Sequence, residues 1–283
     1  MGDALRADGD PVGAAVFYRR AHDLEPDDLA PLLGMANAAA ATGQHDAAAA
    51  LFRQVLARDP GNAAARLGYG RTLLAMHQPA TARAELRAAL DADPADPRAA
   101  LALGVAAELD GDPEAARAVY RDGLRHNPNH VLLRNNLALS LMIAGDTDQA
   151  IDILDQLAQT LDGGARVRQN LALANALAGH DDQARAIAAQ DLRGAALDAR
   201  LSFFQQLRSL DGPRLAEAVM SLRAPHALAS VSTDHFSLTA PAPVFAELHT
   251  THLASPEAVA VDERPRLPMT ADVPPASVVA PVH

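Results

Sequence analysis

Large apolar residues return at a fixed interval along the chain. Tyr18, Phe52, Leu86, Tyr120 and Leu154 stand 34 positions apart, and Ala14, Ala48, Ala82, Ala116, Ala150 and Ala184 keep the same spacing without a gap. Two columns of helix breakers share the period. Gly9, Gly43, Gly111, Gly145 and Gly179 form one, interrupted by His77; Pro26, Pro60, Pro94 and Pro128 form the other, in "EPDD", "DPGN", "DPAD" and "NPNH". A period of this length marks a repeated supersecondary unit, and the columns predict one helical hairpin per unit.

Each column has a physical reason. A glycine past the first helix takes the left-handed conformation that closes it, and an Asp then caps the second helix, with Pro in its first turn in the "GDP" of Gly9–Pro11 and of Gly111–Pro113. Alanine suits a close crossing of two helices, whose axes lie about 8–10 Å apart, and the large apolar column supplies the opposing bulk. Proline ends the second helix and drives the residue before it out of the helical region, so the chain turns into the next unit.

A 34-residue period with small residues at the eighth and twentieth positions, Gly at the fifteenth, an aromatic at the twenty-fourth and Pro at the thirty-second resembles the tetratricopeptide repeat (TPR). The resemblance covers residues 1 to about 198. The family's tryptophan at the fourth position is replaced by Leu32, Arg66, Ala100, Arg134 and Arg168, and the period survives. The resemblance implies an all-α, right-handed superhelical TPR solenoid of about six hairpins. These are a partial first repeat (1–28), four in clear register (29–62, 63–96, 97–130, 131–164) and a sixth at 165–198; the fifth has "LDGG" in place of its proline. A degenerate pair of capping helices is expected over 199–223, with Phe203 and Phe204 covering the last hairpin, because a solenoid needs a terminal cap. Met1 falls at about the seventh position of its unit, so Val16 and Phe17 are expected to be poorly covered, and the natural chain is expected to start upstream. From 224 to 283 the helical period stops and proline, serine and threonine are scattered, which reads as a disordered tail rich in Pro and Ala.

Composition narrows the chemistry. Of 283 residues 49% are apolar but only 3% aromatic, so the core is built mainly from Ala and Leu. All 24 cationic residues are Arg, set against 35 acids for a net charge of −11, which speaks against nucleic acid or an anionic membrane as a partner. The absence of cysteine removes disulfides, thiolate zinc sites and a thiol nucleophile. No apolar run reaches the roughly 18 residues of a membrane span, and residues 1–20 lack the pattern of a signal peptide.

Few residues suggest a reaction. "RHNPNH", Arg125–His130, sets two histidines four apart, but Pro128 breaks the helix that would align them, so the stretch reads as a corner between units and no metal is expected. His249 and His252 fall in the tail. No phosphate loop, Ser-His-Asp order or paired-carboxylate motif occurs. The expectation is a protein that is not an enzyme and uses no cofactor.

TPR solenoids work through the concave face of their first helices, where the second, fifth, ninth and twelfth positions point inward. Here those include Asn37, Arg71, Arg98, Asn135 and Gln169, the candidate contacts for a protein or peptide segment. Six units at about 8–10 Å each make a groove on the order of 50 Å, room for about 15 extended residues. The clamp with which some relatives hold a chaperone's C-terminal carboxylate is not expected, since the chain has no lysine and Leu33 and Gly68 stand beside Asn37.

A narrower resemblance lies in "RVRQNLALANALAGHDDQARAIAAQDL" (166–192) and "LDARLSFFQQL" (197–207), which look like the end of the TadD family of the tight-adherence (Flp) pilus apparatus. That resemblance implies a non-catalytic periplasmic lipoprotein that helps assemble the outer-membrane secretin. With an export signal upstream the protein would be periplasmic or associated with the outer membrane; with Met1 the true start it would be a general cytoplasmic adaptor.

Overall fold

The computed structural model describes residues 1–160, 163–210, 212 and 214–219; the predicted tail at 224–283, with His249 and His252, and positions 213 and 220–223 of the second capping helix lie outside them. Among the described residues no strand occurs; residues 212 and 214–219 are helical, where the second capping helix is expected, and before them thirteen helices follow one another to Arg208. They pair as predicted. The first helices of the hairpins are α1 (Gly2–Ala7), α3 (Leu29–Ala41), α5 (Ala63–Ala75), α7 (Pro97–Leu109), α9 (Val131–Ala144) and α11 (Ala165–Leu177). The second helices are α2 (Pro11–Leu24), α4 (His45–Arg58), α6 (Pro79–Ala92), α8 (Pro113–His126), α10 (Thr147–Ala158) and α12 (Asp181–Ala188). α13 (Gly194–Arg208) follows.

The breakers act as their chemistry dictates. Gly9, Gly43, Gly111, Gly145 and Gly179 all have φ between 74° and 88°, and His77 takes the same left-handed turn at φ 56° without a glycine's freedom. Glu25, Asp59, Asp93 and Asn127, each just before a column proline, leave the helical region at φ near −130° to −140° and ψ of 70–88°. Capping departs in part from expectation. Asp10 and Asp112 accept from the backbone of Gly13 and Ala115 at 2.8 and 3.0 Å, but Gln44, Gln78, Asp146 and His180 make no side-chain cap. More regular caps start the first helices, at Asp28, Asn62, Asp96 and His130.

Small meets large throughout the core. All six column alanines are 0–1% exposed, and Phe52, Leu86, Tyr120 and Leu154 are fully buried beside them. A methyl group added at Gly104 would sit 2.1 Å from the Tyr120 ring, and one at Gly68 2.4 Å from Phe52, so the first helices lie on these rings as closely as a bare backbone allows. Side chains then tie one unit to the next: Arg58 donates to the Pro26 carbonyl at 2.7 Å and Asn127 to that of Ala95 at 2.9 Å.

At the two ends the packing differs. Val16 is 65% and Phe17 38% exposed beside the short α1, so the poor cover expected there is marked at Val16 and slight at Phe17. α13 packs against α11 and α12, burying Phe204 while Phe203 lies on the edge of the same core. It begins at Gly194, within the unit expected to run to 198, because α12 has only eight residues.

Candidate functional site

The inner face is identified by which helices meet. α3, α5, α7, α9 and α11 each touch the next of their series, whereas no second helix makes a comparable contact with the next second helix among the described residues. Elements that meet at every step lie on the tighter side of a curved stack, so the first helices line the concave surface. The acids divide the same way. The five first helices carry Arg66, Arg71, Arg98, Arg134, Arg166 and Arg168 but a single acid, Glu108; the acids cluster on the second helices and turns.

The predicted contact residues lie on five successive first helices. Asn37 on α3 is exposed and Arg71 on α5 half-buried. Arg98 begins α7 and folds back on its own N-cap, Nε and Nη2 meeting Asp96 Oδ1 and Oδ2 at 3.1 Å each. Burial works to raise the Asp96 carboxyl, but the Arg98 side chain and backbone outweigh it and hold the group below the usual carboxylate range. Arg98 therefore supports the cap of its own helix.

Asn135 and Gln169 belong to a polar strip. Asn135 on α9 is 6% exposed, and its Oδ1 accepts from Asn170 Nδ2 on α11 at 2.7 Å. Next to Asn170, Gln169 Oε1 accepts from Arg200 Nη1 on α13 at 3.3 Å. The strip thus crosses three inner helices and joins two of the five predicted residues. Arg200 and Asn170 were not foreseen. The signal for Arg200 was present, because Arg98, Arg166 and Arg200 are separated by multiples of 34 residues, the period continuing into the cap.

The histidines of "RHNPNH" part company as expected. His126 ends α8, while His130 precedes α9 and its Nδ1 accepts the Leu133 N–H at 3.3 Å. Among the described residues no group of three or more His, Asp or Glu converges as a metal site would require, and no helix is long and apolar enough to cross a membrane. Cavities in the described part include two between packed helices. One of about 80 Å³ lies between α11, α12 and α13, and one of about 200 Å³ between α2, α3 and α4; both fall short of the roughly 300 Å³ of a small-molecule site. Along α9, α11 and α13 the described residues offer an arranged set of polar groups, Asn135, Asn170, Gln169 and Arg200.

Comparison with known proteins agrees with this geometry. The tetratricopeptide repeat model matches residues 5–51, 39–106 and 107–160. Among solved structures the chain is similar to PilW, described as a widely conserved type IV pilus biogenesis factor, with 22% identity over 71% of this chain and 94% of that one and a TM-score of 0.64. It is similar to PilF of Pseudomonas aeruginosa at 23% identity, 72% and 93% coverage and a TM-score of 0.63. Residues 41 to the end of MamA from Desulfovibrio magneticus RS-1 are 25% identical over 55% of this chain and 88% of that one, with a TM-score of 0.51. PilW and PilF share the fold at these identities; no curated protein matches the chain in sequence. With the period, the hairpins and a repeat model spanning more than half of its length, the chain belongs to the tetratricopeptide repeat family.

Proposed function

We propose that this protein is a non-catalytic scaffold that holds a segment of another protein along its concave face, and that its partner is the secretin, or another assembly component, of a tight-adherence pilus. The observation that carries the binding reading is the inner face itself. Five successive first helices carry Asn37, Arg71, Arg98, Asn135 and Gln169 and hold a single acid, Glu108. Several modest contacts spread over such a face give affinity without a deep pocket.

The pilus assignment is supported by the resemblance of residues 166–207 to the TadD family. PilW is an example of the same fold described as a pilus biogenesis factor. The test is a capture experiment from an extract containing a tight-adherence system. The wild-type protein should retain secretin, and the double variant Asn37→Ala, Arg71→Ala should retain several-fold less. Recovery of neither secretin nor any other pilus component by the wild type contradicts the assignment.

A further inference from the structure

Arg200 differs from the half-buried Arg66, Arg168 and Arg83, which close on acids; like Arg134, whose Nη2 donates to Gln156 Oε1 at 2.9 Å, it meets a neutral side chain. Arg66 meets Glu85 at 2.7 Å, Arg168 meets Asp191 at 2.5 Å, and Arg83 meets Asp110 and Asp112 at 2.7 and 3.0 Å. Arg200, half-buried on α13, has one neutral partner, the Gln169 oxygen at 3.3 Å, and no carboxylate within ion-pair distance among the described residues. Burial pulls its guanidinium below the ordinary arginine value with no counter-charge opposing it. A half-desolvated cation is costly unless something pairs with it.

The surroundings say what that something is. Gln169 holds Arg200 against α11, where Arg166 lies one turn earlier on the same face and is exposed. Acids are scarce on the inner helices although the whole chain carries a net charge of −11. A planar guanidinium with unused N–H groups matches a carboxylate, which accepts two parallel hydrogen bonds from it.

Resting on the inner-face reading above, we propose that Arg200, positioned by Gln169 and seconded by Arg166, is a carboxylate-recognition point at the C-terminal end of the groove, and that the segment bound there is an acidic peptide. This point is separate from the clamp that the sequence does not lead one to expect, since Arg200 lies on the capping helix outside the six hairpins.

The full chain is used to select binders from a random 12-residue peptide library, in parallel with Arg200→Gln and with Arg121→Gln, an exposed control on α8. Wild type and the control should enrich Asp and Glu, and Arg200→Gln should not. The strongest peptide should bind Arg200→Gln about tenfold or more weakly, as loss of a charge-assisted hydrogen bond implies. The same peptide with a free or an amidated C-terminus shows whether a terminal or a side-chain carboxylate is read.

A merely structural Arg200 would behave differently. Because its charge has no acidic partner among the described residues, Arg200→Gln should keep or raise the melting temperature while losing affinity. If that variant instead melts several degrees lower, Arg166→Gln takes over the test, and unchanged affinity there overturns the proposal. Selected peptides without acidic enrichment, bound equally by Arg200→Gln, overturn carboxylate recognition and leave the inner face as a binding surface. Retention of no peptide by the wild type overturns both.

Discussion

His130 shows how one side chain at a turn does structural work that its spacing disguised. Its Nδ1 must be unprotonated to accept the Leu133 N–H. Burial pushes its pKa below the ordinary imidazole value, more than nearby Asp96 raises it. The unfolded chain therefore binds the proton more readily than the folded one, so this contribution is complete above about pH 6.5 and is lost as pH falls below it. Equilibrium unfolding in urea at pH 7.5 and 5 should show His130→Asn less pH-sensitive than wild type, since Asn caps without titrating. His130→Ala should cost about 1 kcal/mol at pH 7.5. That the "RHNPNH" histidines are not a pair was legible, because Pro128 separates them; the capping role was not, since it depends on a rotamer that positions one ring nitrogen over the helix start.

Two further residues test the repeat at single positions. His77 holds a left-handed conformation at φ 56° where the other units have glycine, so His77→Gly should stabilise by up to about 1 kcal/mol in thermal unfolding. Gly104→Ala should do the reverse. Its methyl would meet the fully buried Tyr120 ring, and displacing that ring costs about 1–3 kcal/mol. No change in melting temperature for Gly104→Ala would contradict the packing described for this column.

At the scale of elements, period and hairpins were read correctly because each breaker acts locally: a glycine closes a helix and a proline stops one whatever surrounds them. The caps were less legible. "GDP" announces an Asp cap, and Asp10 and Asp112 obey it, but Asp146 has the same chance and makes no side-chain cap. The start of α13 was displaced for a similar reason: where α12 ends depends on how the capping helix packs, not on a breaker. In a solenoid each unit leans only on its neighbours. Phe204→Ala should therefore act locally, removing buried apolar bulk worth ~3 kcal/mol from the end of the stack. Hydrogen exchange should speed up through α11, α12 and α13 and stay slow in α5–α8. Uniform loss of protection along the chain would show that the units unfold as one.

For the whole molecule, the decisive feature is the near-exclusion of acids from α3, α5, α7, α9 and α11. Single positions did not reveal it. Asn135 looked like a free contact residue, yet its carboxamide is nearly buried and bonded to Asn170, a partner 35 positions away that comes close only through the superhelical stacking of α9 on α11. Arg200 emerged for the same reason, from packing of the cap on the last hairpin. Residues 224–283 showed no core-facing pattern in the sequence, so their deletion should leave helical circular dichroism and melting temperature within a few degrees of the intact chain.

The account turns on which face the partner touches. A photo-crosslinking amino acid placed at Asn37 or Gln169 on the inner face, and at Arg87 or Arg121 on the outer helices α6 and α8, reads this directly in cells that express the pilus system. The inner positions should yield a crosslinked partner and the outer positions should not. Crosslinks confined to Arg87 and Arg121 would place the binding surface on the convex side and contradict the concave-face mechanism.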